Sequence, residues 1–532
     1  MRPRVGALLG TGLGLLGLLG AARAVESPPP RSPGAGLPGA ARPQPGPAGP
    51  ARAALRFTIE PYLQDVRPDG IVVSWATDVP STGVVRVDRA SVRASFVAET
   101  AATHHRVRVT GLAAGQRYGY VVAVRRAGDV GPAASSELVS APAEFATAPL
   151  TDSPFLFLVY GDNRDRDADH LAVIRAMQPE QPDLIVQTGD MVSRAGDEGQ
   201  WRRYFAAAAP LLRSVPMFPA LGNHELRGDP DAGRFFRFFG LPTVVPPLGQ
   251  APPGQGLTGL SGLAGLTDLA APGTAAEPPA RRRRPVYYAF RYSNSLFIAL
   301  DGNSPYDGDQ AAWLERTLGE AQHDQSVRHL FVFVHQPPYA VGAYCGSERL
   351  QRRIVPLLQR AARGPRPLLR AVFAGHEHAY QHLERGGVRY FITGGGGAPL
   401  YPRSQSCDRE DDLALRLFRA EHHYLRIQVD GQAATLLALS RSGEVMERVL
   451  LHEPVVRDEE PLASLPTETP TLRPGQPGPP GGAAGRERTS GPILLLWVSA
   501  IATLSGLLLL TRPSRRRDLS PSSRRYRDDD EG

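Results

Sequence analysis

The sequence contains no lysine, so all 60 of its basic side chains are arginines, and the formal net charge is +7. A positive surplus of this kind often indicates a nucleic-acid partner. Here alanine, glycine and proline are abundant as well, which is typical of GC-rich coding rather than of selection for phosphate contacts. Much of the surplus also lies in peripheral segments: Arg2, Arg4, residues 281–284 and the tail after Arg512. We therefore do not expect nucleic acid to be a dedicated partner.

Cysteine is almost absent, since the chain has only Cys345 and Cys407. Two cysteines this far apart lack the spacing of a zinc finger, which excludes that class of site. In an exported protein a single disulfide is the default interpretation, and it would close a loop of about 60 residues and contribute roughly 4 kcal/mol in the chain-entropy model. Two unpaired thiols remain the alternative.

Long apolar runs are confined to the two ends of the chain. Residues 1–24 combine early arginines with a short, Gly-rich apolar stretch and the small-x-small site Ala22-Arg23-Ala24, which is typical of a cleaved secretory signal peptide. Residues 492–511 form a charge-free run of 20 residues, enough for a helix that crosses a bilayer core of about 30 Å. The sequence therefore predicts an exported protein with a single C-terminal transmembrane helix.

The charges after this apolar run predict its orientation. Arg512 and the run Arg515-Arg516-Arg517 follow it at once, so the positive-inside rule predicts a cytoplasmic tail at residues 512–532. The folded body would then be periplasmic or extracellular and anchored to the membrane. A removable C-terminal sorting tail is the alternative.

Composition and periodicity divide the rest of the chain. Residues 25–54 are Pro/Gly-rich and predict a disordered linker. Residues 55–150 contain short alternating runs separated by turn residues, which predict an all-β sandwich with Trp75 in its core. The segment GLAAGQRYGY, ending at Tyr120, resembles the tyrosine corner of fibronectin type III domains. We expect this sandwich to act as a rigid spacer or as a wall beside an active site.

Residues 152–456 have a different pattern, in which apolar strands such as FLFLVY and LFVFV alternate with helical stretches. This alternation predicts an α/β domain with a largely buried sheet. Helices are expected at residues 168–177, 308–322 and 347–362, and three late strand-like runs (RYFITGG, HYLRIQVDG, AATLLALS) predict a second, partly antiparallel sheet. Residues 244–285 are predicted to be a low-complexity surface insertion, and residues 457–491 a second disordered linker.

Five fragments of the α/β domain place a possible metal ligand directly after an apolar strand. They are Gly161-Asp162-Asn163-Arg164, Gly189-Asp190, Gly222-Asn223-His224-Glu225, Val334-His335 and Gly375-His376-Glu377-His378. Open α/β sheets hold their ligands at this edge, so we expect these side chains to meet. Carboxylate, amide and imidazole ligands together suit Mn, Zn or Fe.

This set of motifs resembles the calcineurin-like metallophosphoesterases, and the preceding β-sandwich makes it most similar to the purple acid phosphatase branch. The resemblance covers about residues 55–440 and implies a four-layer αββα sandwich. It implies six metal ligands: Asp162, Asp190, Asn223, His335, His376 and His378. Asp190 would bridge two divalent or mixed-valence metal ions, with Asp162 and His378 on one side and the other three ligands on the second side.

The resemblance also implies a reaction, the hydrolysis of phosphate esters by a hydroxide that two metal ions activate. His224 would face the leaving group as a proton donor or transition-state stabiliser, and Glu225 could orient its imidazole and keep it charged. The substrate would be a phosphorylated small molecule or another phosphoester, either a monoester or a diester.

Two positions depart from the family pattern. Arg164 stands where many members have a histidine, and Ser193 stands where purple acid phosphatases have a tyrosine. The Asp162 side would then have only three protein ligands, and no purple colour is expected. Arg164 could bind substrate phosphate, or it could pair with Asp165 or Glu225. Because this first site is weakened, a surface binding module that retains the fold but has little catalytic activity is the alternative function.

Overall fold

The computed structural model describes residues 54–89, 92–129, 137–242, 286–303, 308–404, 407 and 409–452. The N-terminal part of this range is β-rich. Its strands are β1 Phe57–Arg67, β2 Gly70–Arg89, β3 Val92–Val109, β4 Arg117–Arg126, β5 Leu138–Val139 and β6 Ala143–Ala146.

The two long strands of this region each take part in two sets of pairings. The first half of β2 lies between β1 and the second half of β3, and its second half lies between β4 and the first half of β3. The register shifts between Ala76 and Ser81, where the pairing partners change. Trp75 is buried just before this point, which confirms its predicted place in the core.

Thirteen more strands and seven α-helices follow in the described residues. The strands are β7 Phe155–Tyr160, β8 Leu184–Gln187, β9 Met217–Pro219, β10 Tyr288–Tyr292, β11 Ser295–Leu300, β12 His329–Val334, β13 Leu369–Ala374, β14 Tyr380–Arg385, β15 Val388–Thr393, β16 Leu415–Arg419, β17 His423–Asp430, β18 Ala433–Ser440 and β19 Val445–His452. The helices are α1 Asp167–Met177, α2 Glu198–Leu212, α3 Gly233–Phe238, α4 Gly308–His323, α5 Glu348–Arg353, α6 Val355–Arg363 and α7 Arg409–Ala414.

The strands of the α/β part form two sheets. One has the order β19-β18-β17-β7-β8-β9, with β7, β8 and β9 parallel, and the other has the order β10-β11-β12-β13-β15-β14-β16. The predicted second, partly antiparallel sheet is therefore present, but its membership differs from the expectation. Only RYFITGG joins it, as β15, whereas HYLRIQVDG and AATLLALS extend the first sheet as β17 and β18.

The two sheets pack face to face, with helices on their outer faces. In β7, Phe157 points into the layer between the sheets, where its ring lies 5.0 Å from that of Phe297 and 4.9 Å from that of Phe331. The neighbouring Leu158 belongs instead to the cluster that packs on α1 and α2. A third cluster joins the second sheet to α4 and α6. Because successive strand residues face opposite ways, this gives a helix–sheet–sheet–helix order of layers.

Proline decides one helix boundary. A single helix was expected at residues 347–362, but the structure has α5 and α6 with a break at Ile354. Pro356 stands in the first turn of α6. Proline has no amide hydrogen and its ring clashes with the preceding turn, so it begins a helix more readily than it continues one.

The β-rich region is joined to the first α/β sheet. Gln64 in β1 pairs with Met217 in β9, so the strands form one continuous sheet. Tyr62 donates a hydrogen bond of 2.6 Å from its hydroxyl to the carbonyl of Phe238. Tyr120 donates one of 2.7 Å to the carbonyl of Arg213 at the end of α2. The two regions thus share backbone pairing as well as side-chain contacts.

Cys345 and Cys407 form a disulfide, with 5.4 Å between their Cα atoms, so the default interpretation is confirmed. No helix in the described residues is long and apolar enough to cross a membrane. The predicted signal peptide, the predicted linkers except for residue 54, the whole of the predicted insertion, the predicted span at residues 492–511 and the predicted tail at residues 512–532 lie outside the described residues.

Candidate metal centre

The predicted ligands follow five strand ends from both sheets. Asp162 follows β7, Asp190 follows β8 and Asn223 follows β9 in the first sheet. In the second sheet, His335 follows β12, and His376 and His378 follow β13. Since the parallel strands end at the same edge, these side chains reach one place between the two sheets.

Three of these side chains form a tight, buried group. Single ligand atoms of Asp162, Asp190 and His335 all lie within 4.8 Å of one another. The Nε2 of His335 lies 3.3 Å from an oxygen of Asp190 and 3.0 Å from the amide oxygen of Asn223. Four predicted ligands therefore share one small volume.

The other two predicted histidines adjoin this group. The Nε2 of His378 lies 3.6 Å from an oxygen of Asp162. The backbone amide of His376 donates to both oxygens of Asp162, at 2.9 and 3.0 Å, and its ring lies 5.2 Å from that of His335. The structure thus brings together all six side chains predicted as ligands.

Hydrogen bonds decide which ring nitrogens face the centre. The Nδ1 of His335 lies 2.8 Å from the carbonyl of Thr188, and the Nδ1 of His378 lies 2.7 Å from that of Pro399. A carbonyl only accepts, so each Nδ1 carries the proton and each Nε2 of the neutral ring has a free lone pair. Burial lowers the pKa of His335 to about 3, so its ring is neutral at pH 7.

The donor set fits a metal ion. The Nε2 lone pair of His335 faces two oxygens that are also acceptors, and a cation between them would remove the repulsion. The Nε2 of His378 is buried and has no hydrogen-bond partner among the described residues. Lone pairs without a donor, mixed oxygen and nitrogen chemistry and the fixed Nδ1 protons are all features of a metal site.

Three of the ligands have strained backbones. Asp162, Asp190 and His376 have φ angles of 55°, 57° and 70°, in the left-handed region that non-glycine residues rarely adopt. Such strain collects at functional sites, where the surrounding structure holds it in place.

Two glycines of the motifs are needed for close approach. A Cβ atom at Gly222 would lie 2.2 Å from an oxygen of Asp190, and one at Gly375 would lie 2.3 Å from an oxygen of Asp162. Both contacts are shorter than any side chain tolerates. The glycines that precede the ligands in the sequence motifs therefore make room for carboxylates from other loops.

His224 lies next to the ligands and is buried. Its Nε2 is 3.7 Å from an oxygen of Asp190, and its Nδ1 is 2.7 Å from the carbonyl of Ser193. Burial lowers the pKa of this histidine to about 4, so the ring is neutral at pH 7. The expectation that a carboxylate keeps it charged is therefore wrong for this structure.

Glu225 binds backbone amides and does not orient His224 as predicted. Its carboxylate accepts hydrogen bonds of 2.8 Å from the backbone amides of Asp190, Met191 and Gly222. Its oxygens are thus turned to the backbone, and the carbonyl of Ser193 holds His224 instead. Burial raises the pKa of Glu225 to about 8, with a further rise from Asp190. Glu225 is a positioning residue that ties the loop after β8 to the loop after β9.

Arg164 pairs with two carboxylates. Its terminal nitrogen lies 2.8 Å from Asp165, and its Nε lies 3.5 Å from an oxygen of Asp190. Of the pairings expected from the sequence, the one with Asp165 is confirmed, whereas the acid at the centre is Asp190 and not Glu225. Burial acts to lower the pKa of Arg164, but Asp190 and then Tyr401 raise it, and the net change is upward.

Sequence reasoning missed two supporting residues. Glu377 accepts a hydrogen bond of 2.7 Å from the amide of Ala343 and another from that of Tyr344. Gln187, at the end of β8, accepts from the amide of Gly189 at 2.6 Å and donates to Asn163 at 3.0 Å. The sequence signals that could have identified them are the position of Glu377 between two predicted ligands and the position of Gln187 at the end of an apolar strand.

Cavities in the described part of the α/β region include one beside the centre and one away from it. One of about 150 Å³ adjoins the centre, and its walls include Arg164, Ser193 and His170. The other, of about 750 Å³, lies between α4 and α6 and contains none of the predicted site residues. Of these two, the smaller cavity adjoins the candidate site.

Comparison with known proteins gives a consistent picture. Residues 155–380 match the family model described as calcineurin-like phosphoesterase. The structure is similar to that of a purple acid phosphatase, PPD1, from yellow lupin (Lupinus luteus) seeds, with 16% identity, a TM-score of 0.55 and 73% of each chain covered. It is also similar to the structure of PhoD, with 12% identity, a TM-score of 0.51, and 77% of this chain and 95% of that chain covered. A search of curated proteins finds no match to the sequence.

Proposed function

We propose that this protein hydrolyses phosphate esters at a centre of two divalent metal ions, because residues 155–380 match the calcineurin-like phosphoesterase family model. One observation carries the proposal: six side chains from five strand ends converge with the Nε2 lone pairs of His335 and His378 facing buried carboxylates. Burying so many hydrogen-bond acceptors together without donors destabilises a fold unless they coordinate a cation.

The ligands divide into two sets around Asp190. Asn223, His335 and His376 would hold one ion, and Asp162 and His378 the other. Manganese, zinc and iron suit this mixture of oxygen and nitrogen ligands. When bound, such ions polarise a phosphoryl oxygen and lower the pKa of water to near 7, so that no side-chain nucleophile is needed.

In this proposal His224 donates a proton to the leaving group. Its Nδ1 proton is held by the carbonyl of Ser193, which leaves Nε2 as the atom that exchanges a proton beside Asp190. Because burial makes its charged form scarce at neutral pH, the group is a stronger acid than an exposed histidine.

Arg164 binds the phosphate group in this proposal. Its side chain is only 16% exposed, and Asp165, its partner, is 39% exposed. A guanidinium can exchange one carboxylate for two phosphate oxygens in the same forked geometry.

The surroundings of the domain are part of the proposal. The β-rich region is a fibronectin type III-like sandwich, supported by a 2.9 Å hydrogen bond from the amide of Ala113 to the hydroxyl of Tyr118 within the predicted tyrosine corner. The two sets of pairings of β2 also support it. The signal-like N terminus and the apolar run at residues 492–511 support export and anchoring, with the catalytic domain outside the cytoplasm.

Metal content and hydrolysis, measured together, test the function. The full-length chain, purified in detergent and loaded with Mn, Zn or Fe, is assayed with p-nitrophenyl phosphate and bis-p-nitrophenyl phosphate, with Asn223→Ala as the matched control. We expect bound metal and turnover well above the control, and the preferred substrate distinguishes a monoesterase from a diesterase. Turnover no faster than that of Asn223→Ala would favour the alternative of a catalytically inactive surface binding module.

A further inference from the structure

Two tyrosines stand beside the metal-ligand histidines. The ring of Tyr401 stacks on that of His378, with 4.0 Å between centroids and 16° between planes. The ring of Tyr344 lies 4.9 Å from that of His376, and 5.9 Å from that of Tyr401 at an angle of 65°. The two rings together form an aromatic surface at the edge of the centre.

Tyr344 is exposed to an unusual degree for a large aromatic side chain at such a place. Its relative exposure is 42%, whereas the neighbouring ligand His378 is 1% exposed. An aromatic ring gains stability by leaving water, so burial does not explain the position of Tyr344. Tyr344 therefore presents part of its ring to the solvent beside a ligand histidine, where a substrate can contact it.

The backbone of Tyr344 is held from several sides. Glu377, which lies between the two ligands His376 and His378, accepts hydrogen bonds from the amides of Ala343 and Tyr344. The next residue, Cys345, is tied to Cys407 by the disulfide and has a φ of 56°. These constraints fix the ring relative to the centre, which is the condition for a specific contact rather than a mobile surface residue.

We propose that Tyr344, supported by Tyr401, forms an aromatic wall that stacks on a planar aromatic group of the substrate, so that the site prefers phosphate esters of aryl or nucleobase-bearing groups. The proposal rests on the proposed function and adds the chemical class of the ester. Offset or edge contacts between rings at 4.5–7 Å are favourable beyond the area that they bury. A role limited to orienting the histidines is the competing explanation.

A ratio of two rates separates these explanations. The full-length, metal-loaded protein and its variants are assayed with phenyl phosphate and glycerol phosphate, and kcat/KM for the first is divided by that for the second. We expect Tyr344→Ala to lower this ratio about fivefold, as the loss of one ring contact does, and Tyr344→Phe to retain it. Leu413→Ala, which removes another exposed large apolar side chain, on α7, is the control. An unchanged ratio in Tyr344→Ala would overturn the proposal.

A binding measurement keeps this inference distinct from the proposed function. Phenylphosphonate and methylphosphonate cannot be hydrolysed as esters, so their dissociation constants are measured by calorimetry whether or not the protein turns over. We expect phenylphosphonate to bind about fivefold more tightly, and Tyr344→Ala to remove the difference. This result in a protein without turnover would support the wall and refute the hydrolysis. Equal binding of the two, or binding of neither, would refute the wall.

The disulfide offers a test of positioning. The double variant Cys345→Ser, Cys407→Ser retains the ring of Tyr344 but frees the adjoining backbone. If the disulfide positions the wall, the ratio of phenyl to glycerol phosphate falls towards that of Tyr344→Ala, and circular dichroism confirms that the protein is folded. A folded variant with the wild-type ratio would show that the hydrogen bonds of Glu377 are sufficient and that the disulfide has no positioning role.

Discussion

Removal of divalent metal should destabilise the protein, and the loss should become larger as the pH rises. Asp162 and Asp190 are buried side by side, and burial first and the charge of Asp190 second raise the pKa of Asp162 well above its usual value. Burial also raises the pKa of Glu225 to about 8. In the unfolded chain both groups ionise near pH 4, whereas the metal-free folded state binds their protons more tightly.

The direction of the pH dependence of folding stability follows from this difference in pKa. An acid with a raised folded pKa favours folding most below its unfolded pKa, and this contribution is lost as the pH rises through the folded value. For Glu225, a rise from 4.5 to about 8 corresponds to about 5 kcal/mol, lost between roughly pH 4 and pH 8. A metal ion at a concentration of a thousand times its dissociation constant would restore about 4 kcal/mol of unfolding free energy.

Thermal unfolding measures the effect directly. The full-length protein is melted with EDTA and with added metal at several pH values from 5 to 8, and the difference in Tm should be positive and should grow with pH. Asp190→Asn is the control, because it removes one buried charge and keeps an oxygen for the amide of His224, 3.1 Å away. This variant should be more stable than the wild type without metal and should gain little from metal. A difference in Tm that is absent, or that shrinks as the pH rises, would refute the electrostatic explanation.

Three further changes test the proposed roles. His224→Asn should lower kcat for glycerol phosphate by about 10²–10⁴. Because burial lowers the pKa of His224 to about 4, wild-type kcat should decline from pH 4 to pH 7. A kcat independent of pH would contradict the role of His224 as an acid. Arg164→Ala should raise KM for phosphate monoesters about tenfold with little change in bound metal, and an unchanged KM would leave Arg164 as a partner of Asp165 alone. Gly222→Ala places a Cβ 2.2 Å from Asp190 and should reduce the metal content measured by mass spectrometry, whereas Gly319→Ala, with open space around it, should not.

The sequence was most informative where chemistry depends on local order. Each predicted ligand follows a strand end, and parallel strands carry such residues to one edge of a sheet. For this reason Asp190 and Asn223 could be named as neighbours from their motifs and the resemblance that these carry. The helices predicted at residues 168–177 and 308–322 were also within one residue of α1 and α4, because their periodicity is a local property.

The sequence was least informative where a residue chooses a partner far along the chain. Glu225 has both a neighbouring histidine and distant amides as possible partners, and only the packing of two loops selects the amides. The same holds for the late strands, since β17 and β18 have patterns compatible with either sheet. Pairing energies across a sheet depend on neighbours that a single segment does not specify.

By itself the sequence determined the kinds of ligand and their order, because strand ends and glycine-led turns are set by neighbouring residues. Tertiary structure decided which atoms face one another. It placed the lone pairs of His335 and His378 at the centre through carbonyls of other loops, and it brought Tyr344 beside His376 through a disulfide and a glutamate. The physical reason is that hydrogen bonds and ring contacts act over a few ångströms, while the residues that make them lie far apart in the chain, as His376 and Asp162 do with a separation of 214 positions.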